Sequence, residues 1–230
     1  DKNPSDWAWG GASKWWLHHS LTSLATSLGR HNQKLILRRG NPADIIHEII
    51  KKTGADHVVW NRLYQDFAIK RDKAIKQSLK DKDIEAESYK ANLLFEPWEI
   101  QNKTGGFYKV YTPFSKTCFE KGDPGESLAE PSPMHSPDTD IPSDNLDDWA
   151  LLPTRDWDSA FYDHWQPGED GAHDNLERFL TEGGIDDYKE GRNFPAKAHV
   201  SRLSPHLHWG EISPRQIWNR VRIFEAQQQG

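Results

Sequence analysis

The stretch Ala196-Lys-Ala-His-Val-Ser-Arg-Leu-Ser-Pro-His-Leu-His-Trp-Gly-Glu-Ile-Ser-Pro-Arg-Gln-Ile-Trp218 decides how the rest of the chain is read. It contains two Ser-Pro pairs, Ser204-Pro205 and Ser213-Pro214. Each reads as a helix start, with serine positioned to cap the first free amides and proline pre-set for the first helical turn. Gln216 stands three residues after Ser213, the spacing of a capping box, and Gly210 is placed to close the first helix. Ahead of the first helix, Val200-Ser201-Arg202-Leu203-Ser204 offers hydroxyls, a guanidinium and backbone amides where a helix dipole is positive, which suits a phosphate. Any two capped helices share these features, so local pattern leaves both an anion site and two ordinary helix starts open.

Upstream, the order of elements is that of an α/β protein. Leu17, Leu21, Leu24 and Leu28 recur at helical spacing between Ala12 and Leu28, with Gly29 placed as the stop. Lys34–Arg39 reads as a short apolar strand, and Asn41-Pro42 opens a helix whose Ile45, Ile46, Ile49 and Ile50 form one stripe before Gly54. His57–Asn61 is the next strand, Asp66–Leu79 a one-sided helix, and Ile84–Tyr89 a third strand. Alternation of this kind implies a parallel sheet covered by helices. Ligands of open parallel sheets sit at the carboxyl ends of the strands, here near Arg38, Arg39, Trp60, Asn61 and Arg62, although these are also ordinary loop residues. No Gly-x-Gly-x-x-Gly occupies a strand-to-helix turn, so a dinucleotide fingerprint is absent.

From residue 116 to about residue 155 the character changes to an acidic, proline-rich linker. Five of the 14 prolines fall between Asp123 and Ser143. Glu120–Ala160 holds 11 acidic and 2 basic residues, a balance of −9, which leaves about +3 on the remainder of a chain whose net charge is −6. That segment should avoid phosphate backbone and lie over basic or outward surface, while the remainder permits nucleic-acid binding. From Trp157 onward the pattern is helical, with one segment at Ala172–Leu180 ended by Gly183-Gly184. The fold class expected is therefore α/β followed by α: a Rossmann-like parallel-sheet domain over 1–115, a linker over 116–155, and the beginning of an all-α domain over 156–230.

Composition excludes several classes. The single cysteine, Cys118, excludes an internal disulfide framework, and no base is recognisable near it, so it reads as an unreactive thiol. His199, His206, His208 and the pair His18-His19 lack metal-ligand spacing. Neither a triad nor a paired-carboxylate site can be argued, so chemistry here belongs to a bound cofactor. With 11 tryptophans the chain has ample means of packing on flat groups. Neither a signal peptide nor an apolar run long enough to span a bilayer is visible, and a soluble, cytoplasmic, monomeric protein is expected. The chain opens on Asp1 and its only methionine is Met134, so truncation at both ends is expected.

The motifs together resemble the photolyase/cryptochrome family. Ser201–Trp218 is similar to the start of that family's flavin-binding helical domain, and Tyr188-x-x-x-Arg192-Asn-Phe-Pro195 to the segment before it. Trp15–Leu21, Arg39-Gly-Asn-Pro42, Val59-Trp-Asn-Arg62, Arg71-Asp72, Glu96-Pro-Trp98 and Tyr111-Thr-Pro-Phe114 fall in the order of its N-terminal α/β domain. The resemblance implies that Tyr188, Val200, Ser201, Arg202, Leu203 and Ser204 contact FAD, the last four at its phosphates, and that Arg192 touches DNA backbone. It implies light-driven repair of cyclobutane pyrimidine dimers in UV-damaged DNA, with an antenna chromophore of reduced folate or deazaflavin type in the α/β domain. The bacterial class I photolyases are the expected branch, and a cryptochrome-type photoreceptor without repair is the alternative. Val200 stands where the family usually has threonine, which removes a hydroxyl but keeps the amide, and Tyr64-Gln-Asp66 departs from Tyr-Glu-Pro without an evident consequence. Residues that grip the isoalloxazine and the dimer are not in this sequence, so the 230 residues alone are expected neither to retain FAD nor to repair DNA.

Overall fold

The computed structural model describes residues 8–228; positions 1–7 and 229–230, which the expected first and last domains include, lie outside the described residues. The chain runs α1 (Gly11–Arg30), α2 (Pro42–Thr53), β1 (His57–Asn61), α3 (Asp66–Lys80), β2 (Glu85–Tyr89) and α4 (Tyr111–Lys121), then a long irregular segment. It resumes with α5 (Glu169–Thr181), α6 (Tyr188–Gly191), α7 (Ser204–Trp209) and α8 (Pro214–Gln228). The architecture is α/β and then α, and among the described residues no strand follows Tyr89.

Local chemistry explains most of these elements. In α2 the Asn41 side chain accepts the Ala43 N–H at 3.0 Å, Pro42 occupies the first turn, and Gly54 ends the helix at φ +71° with its N–H on the Ile50 carbonyl. β1 and β2 pair in parallel, Val59 opposite Glu87, with α3 as the crossover between them. α3 buries Ala68, Ile75 and Leu79 on one side.

Four expectations are corrected. Lys34–Arg39 is extended but forms no strand, because the polypeptide beside it is the linker: the Leu37 N–H reaches Ser143 Oγ at 2.9 Å and the Asp144 N–H reaches the Leu37 carbonyl at 2.7 Å. α1 runs past Gly29, and the left-handed residue that turns the chain is Asn32 at φ +57°, asparagine being tolerant of that region. Burial in α1 comes from Trp15 and Trp16 rather than from the leucine stripe, in which Leu24 is 37% exposed; the indoles carry more apolar surface and meet other rings. Finally, α4 continues through Lys121, so the irregular segment begins six residues later than the composition suggests.

The linker lies on basic surface, with Glu130 at 2.7 Å from His31 and Asp140 at 3.9 Å from Lys34. The helical part is organised by Ala172, Leu176, Leu180, Leu203 and Ile212, against which Phe179, Ile185, Leu207, Ile217, Val221 and Phe224 pack. Leu203 belongs to both this core and the opening stretch, so the core sets the position of the residues beside it.

Candidate functional site

The two helix starts of the opening stretch differ. At the second, Ser213 Oγ accepts the Gln216 N–H at 3.2 Å and Gln216 Oε1 accepts the Ser213 N–H at 2.8 Å, a complete capping box. At the first, Ser204 is already helical and Leu203 is the capping position, with no side-chain cap bond. Arg202 causes the change: it adopts φ +55°, turning the chain so sharply that Leu203 enters the buried core with near-helical dihedrals. The Ser204 hydroxyl is thereby left outside the helix's own hydrogen bonding, on an exposed surface. Within the first turn of α7 Pro205 has no N–H and His206 is fully buried, so Ser204 is the one exposed residue there that carries an amide N–H. α7 closes at Gly210, φ +76°, whose N–H bonds the His206 carbonyl.

The expected site residues fall into two groups and are exposed or partly so, except Leu203, which is buried in the helical core instead of facing a cofactor. Ser201 is half-buried, while Val200, Arg202 and Ser204 face solvent, with the Arg202 guanidinium 5.6 Å from the centre of the Trp165 ring. Tyr188 opens α6, meets Phe179 edge-on at 5.9 Å, and carries the Arg192 guanidinium 5.5 Å above its ring. Between the groups Gly191 is indispensable, since a Cβ there would meet the His199 ring at 2.4 Å. His199 Nδ1 lies 3.6 Å from Asp187, beyond hydrogen-bond reach. Tyr188 touches Phe179 and Arg192 while Arg202 lies against Trp165, and the two groups share the helical core, on which Phe179 packs and to which Leu203 belongs.

Arg38 and Arg62, two of the three arginines expected near a small-molecule site, are engaged internally. Arg38 makes a bidentate pair with Glu48 at 3.1 and 2.7 Å, which holds the Glu48 carboxyl below its ordinary range. Arg62 bonds Glu96 and the Ser88 carbonyl and lies 5.3 Å over Trp98. Tyr64 also donates to Glu96, at 2.9 Å, and its pKa is pushed up to about 12, first by burial and then by that carboxylate. Beside Arg62 a groove of about 330 Å³ is lined by Lys73, Lys76 and Lys80. Trp60 lies beneath Lys76 at 5.3 Å and donates to Asp72 at 3.1 Å. Burial pushes the Cys118 thiol up, in keeping with an inert cysteine. Among the described residues no group of three His, Cys, Asp or Glu side chains could hold a metal.

One constellation escapes the sequence reading. Glu211 accepts the Trp16 indole N–H at 3.0 Å and lies 2.5 Å from His206 Nδ1, while His206 Nε2 lies 3.0 Å from the Asn175 amide nitrogen. All four are buried. Trp16 and Glu211 are 195 residues apart, and no spacing rule links them.

Fold and motifs together define an α/β plus α protein, and comparison with known families places it. A family model described as DNA photolyase matches residues 1–137, and the chain belongs to this photolyase/cryptochrome family. It is 44% identical over 214 residues, 93% of its own length, to the deoxyribodipyrimidine photo-lyase of Agrobacterium fabrum. It is 31% identical to cryptochrome-1 of Arabidopsis thaliana over 94% of its length. Among solved structures, a bacterial class III photolyase from Agrobacterium tumefaciens superposes with a TM-score of 0.88 at 44% identity over 91% of the chain. The chain spans 44% of the length of both photolyases and 32% of the cryptochrome. The class carried by that solved relative is III, where the motifs had suggested class I. Photolyase and cryptochrome relatives both align over more than nine tenths of this chain, so its motifs do not separate branches. Among the described residues no helix is long and apolar enough to cross a membrane.

Proposed function

We propose that this chain is the leading part of a photolyase that repairs cyclobutane pyrimidine dimers in UV-damaged DNA, of the class III type rather than class I. The observation that carries the reading is the turn at Arg202, which brings the exposed Arg202 guanidinium, the exposed Ser204 and the half-buried Ser201 together ahead of α7. Every one of these groups is a donor, which fits the diphosphate of FAD. In this reading Ser201 and Ser204 donate their hydroxyls to the phosphates and Arg202 supplies positive charge. Leu203, anchored in the core, and the Val200 backbone fix the path of the strap, and Tyr188 lies against the cofactor. When bound in its reduced form, FAD supplies the electron that light sends to the dimer.

Arg192 contacts DNA backbone, and affinity falls with salt because the counterion release that accompanies binding is less favourable into concentrated salt. Photolyases are among the enzymes that take a lesion out of the base stack, at a cost lowered by its weak pairing. The acidic linker is folded onto His31 and Lys34, away from Arg192 in sequence and paired on its own basic partners. The reading includes a second, antenna chromophore of reduced folate or deazaflavin type in the α/β part, and a monomer in solution. These 230 residues alone retain no stoichiometric flavin; a purified yellow fragment with equimolar flavin absorbance contradicts that statement.

The similarity to cryptochrome-1 of Arabidopsis thaliana favours a second reading, a blue-light photoreceptor without repair. One experiment separates them: illumination of the full-length parent, with its flavin reduced, in the presence of a thymine-dimer oligonucleotide. Light-dependent loss of the dimer supports photolyase. Reduced, bound flavin with no repair sinks it and leaves the photoreceptor.

A further inference from the structure

The buried constellation has a direction that its end groups impose. Arg178, on the solvent side, donates to Asn175 at 2.8 Å, and because a guanidinium has no acceptor the Asn175 atom facing it is the amide oxygen. The Asn175 NH₂ therefore faces His206 Nε2 at 3.0 Å, and that nitrogen accepts. The ring proton consequently sits on Nδ1, which donates to Glu211 Oε2 at 2.5 Å. The other Glu211 oxygen accepts from Trp16, whose indole N–H can only donate, at 3.0 Å. Glu211 thus accepts on both oxygens as a carboxylate, with 6% of the residue exposed, and His206, fully buried, is a neutral imidazole.

This chain reaches the Arg202 turn by two routes. α7 has six residues, too few to hold itself, so its position depends on Leu203 just before it, on the His206 side chain in its first turn and on Leu207 against the core. The Trp16 ring meets both His206, at 5.0 Å, and Trp165, at 5.5 Å, and Trp165 carries the Arg202 guanidinium.

We propose that His206 is a positioning residue for the flavin-phosphate turn, and that the direction of the chain Arg178 to Asn175 to His206 to Glu211, closed by Trp16, is what holds that turn in place. The proposal rests on the FAD reading of Ser201 to Ser204 for its functional consequence; the direction itself does not.

Polarity provides the test, made on the full-length parent. Glu211→Gln presents an NH₂ to either Trp16 or His206, both donors. The protein can absorb it only by reversing the chain: His206 shifts its proton to Nε2, Asn175 turns over, and its NH₂ then opposes Arg178. Adding Asn175→Asp removes that last conflict, since a carboxylate accepts from both His206 and Arg178, and formal charge is unchanged. Flavin retention is expected to weaken about tenfold or more in Glu211→Gln, because a buried donor loses its partner. The Asn175→Asp/Glu211→Gln double variant recovers most of the retention, together with thermal stability and soluble yield. Histidine-selective ¹⁵N spectra show the Nδ1–H tautomer in the wild type and Nε2–H in the double variant. A Glu211→Gln protein that holds flavin and heat like wild type, a double variant no better than the single, or an Nε2–H tautomer in the wild type overturns the proposal. If the parent is colourless, the flavin reading falls, while the stability order and the tautomers still decide the chain.

Discussion

The carboxylate of Asp144 accepts the backbone N–H of Arg39 at 2.8 Å, across 105 residues of sequence. The same oxygen takes the Trp149 indole N–H at 3.3 Å. Through this residue and Ser143, the acidic segment supplies the edge of 34–39 with partners that a neighbouring strand would otherwise provide. Asp144→Ala is expected to cost about 1–2 kcal/mol in chemical denaturation, two donors losing their acceptor. Amide exchange at Leu37 and Arg39 should quicken more than at β1.

The two helix starts predict different mutational costs. Ser213→Ala removes a capping-box acceptor and should destabilise by about 1 kcal/mol. Ser204→Ala, with no cap bond to lose, should change stability by less than about 0.5 kcal/mol, while lowering flavin retention in the full-length parent. Equal effects of the two on thermal unfolding would contradict the assignment of the caps.

At Arg202 the left-handed backbone decides which replacements are tolerated. Arg202→Gly should leave stability close to wild type, because glycine adopts φ +55° without penalty and offsets the lost stacking on Trp165. Arg202→Val, β-branched at a left-handed position, should be less stable than the glycine variant by about 1–2 kcal/mol. Both should lose flavin affinity if the guanidinium meets phosphate, which flavin fluorescence on dilution measures.

Acid should weaken the α/β part first. Glu48 is held below its ordinary range chiefly by the Arg38 hydrogen bond, and Glu99 chiefly by the Glu96 N–H. A carboxyl lowered in the folded state contributes stability that is present above its unfolded value of 4.5 and disappears as pH falls through the lowered one. Thermal melts from neutral to acid pH should show a decline that Glu48→Gln reduces. A Glu48→Gln protein with the wild-type acid profile would rule out this pair as a source.

At the alkaline end Tyr64 behaves oppositely. Its pKa of about 12 against an ordinary 10.0 means that the folded protein keeps a proton which the unfolded chain releases. Stability therefore falls as pH rises between those values, and ultraviolet titration should find one tyrosine ionising well after the others. Tyr64→Phe should abolish the late-ionising signal.

Reading the chain as a string succeeded where structure is set by neighbours along it. Asn41, Pro42 and Gly54 bound α2 as their types require, and Ser213 with Gln216 forms the capping box that their spacing implies. It failed where an element is defined by a distant partner. The apolar run at 34–39 has strand composition, yet a strand exists only beside another, and the residues beside it are Ser143 and Asp144. Ser204 has the form of a cap, but the turn at Arg202 moves that role to Leu203. His206 could be weighed in the sequence only as a stray metal ligand.

By itself the sequence determined helices α1, α2, α3, α5, α7 and α8 though not α4 or α6, the change to an acidic linker, the family motifs and the donor-rich character of Ser201 to Ser204, because each depends on residue type and short spacing. Tertiary structure alone decided that these donors stand exposed on a turn braced by the helical core, and that a buried chain from Arg178 to Trp16 runs in one direction. The physical reason is that a hydrogen bond takes its polarity from both ends. Here the ends, an arginine and a tryptophan that can only donate, belong to helices α5 and α1 that meet only when the protein folds.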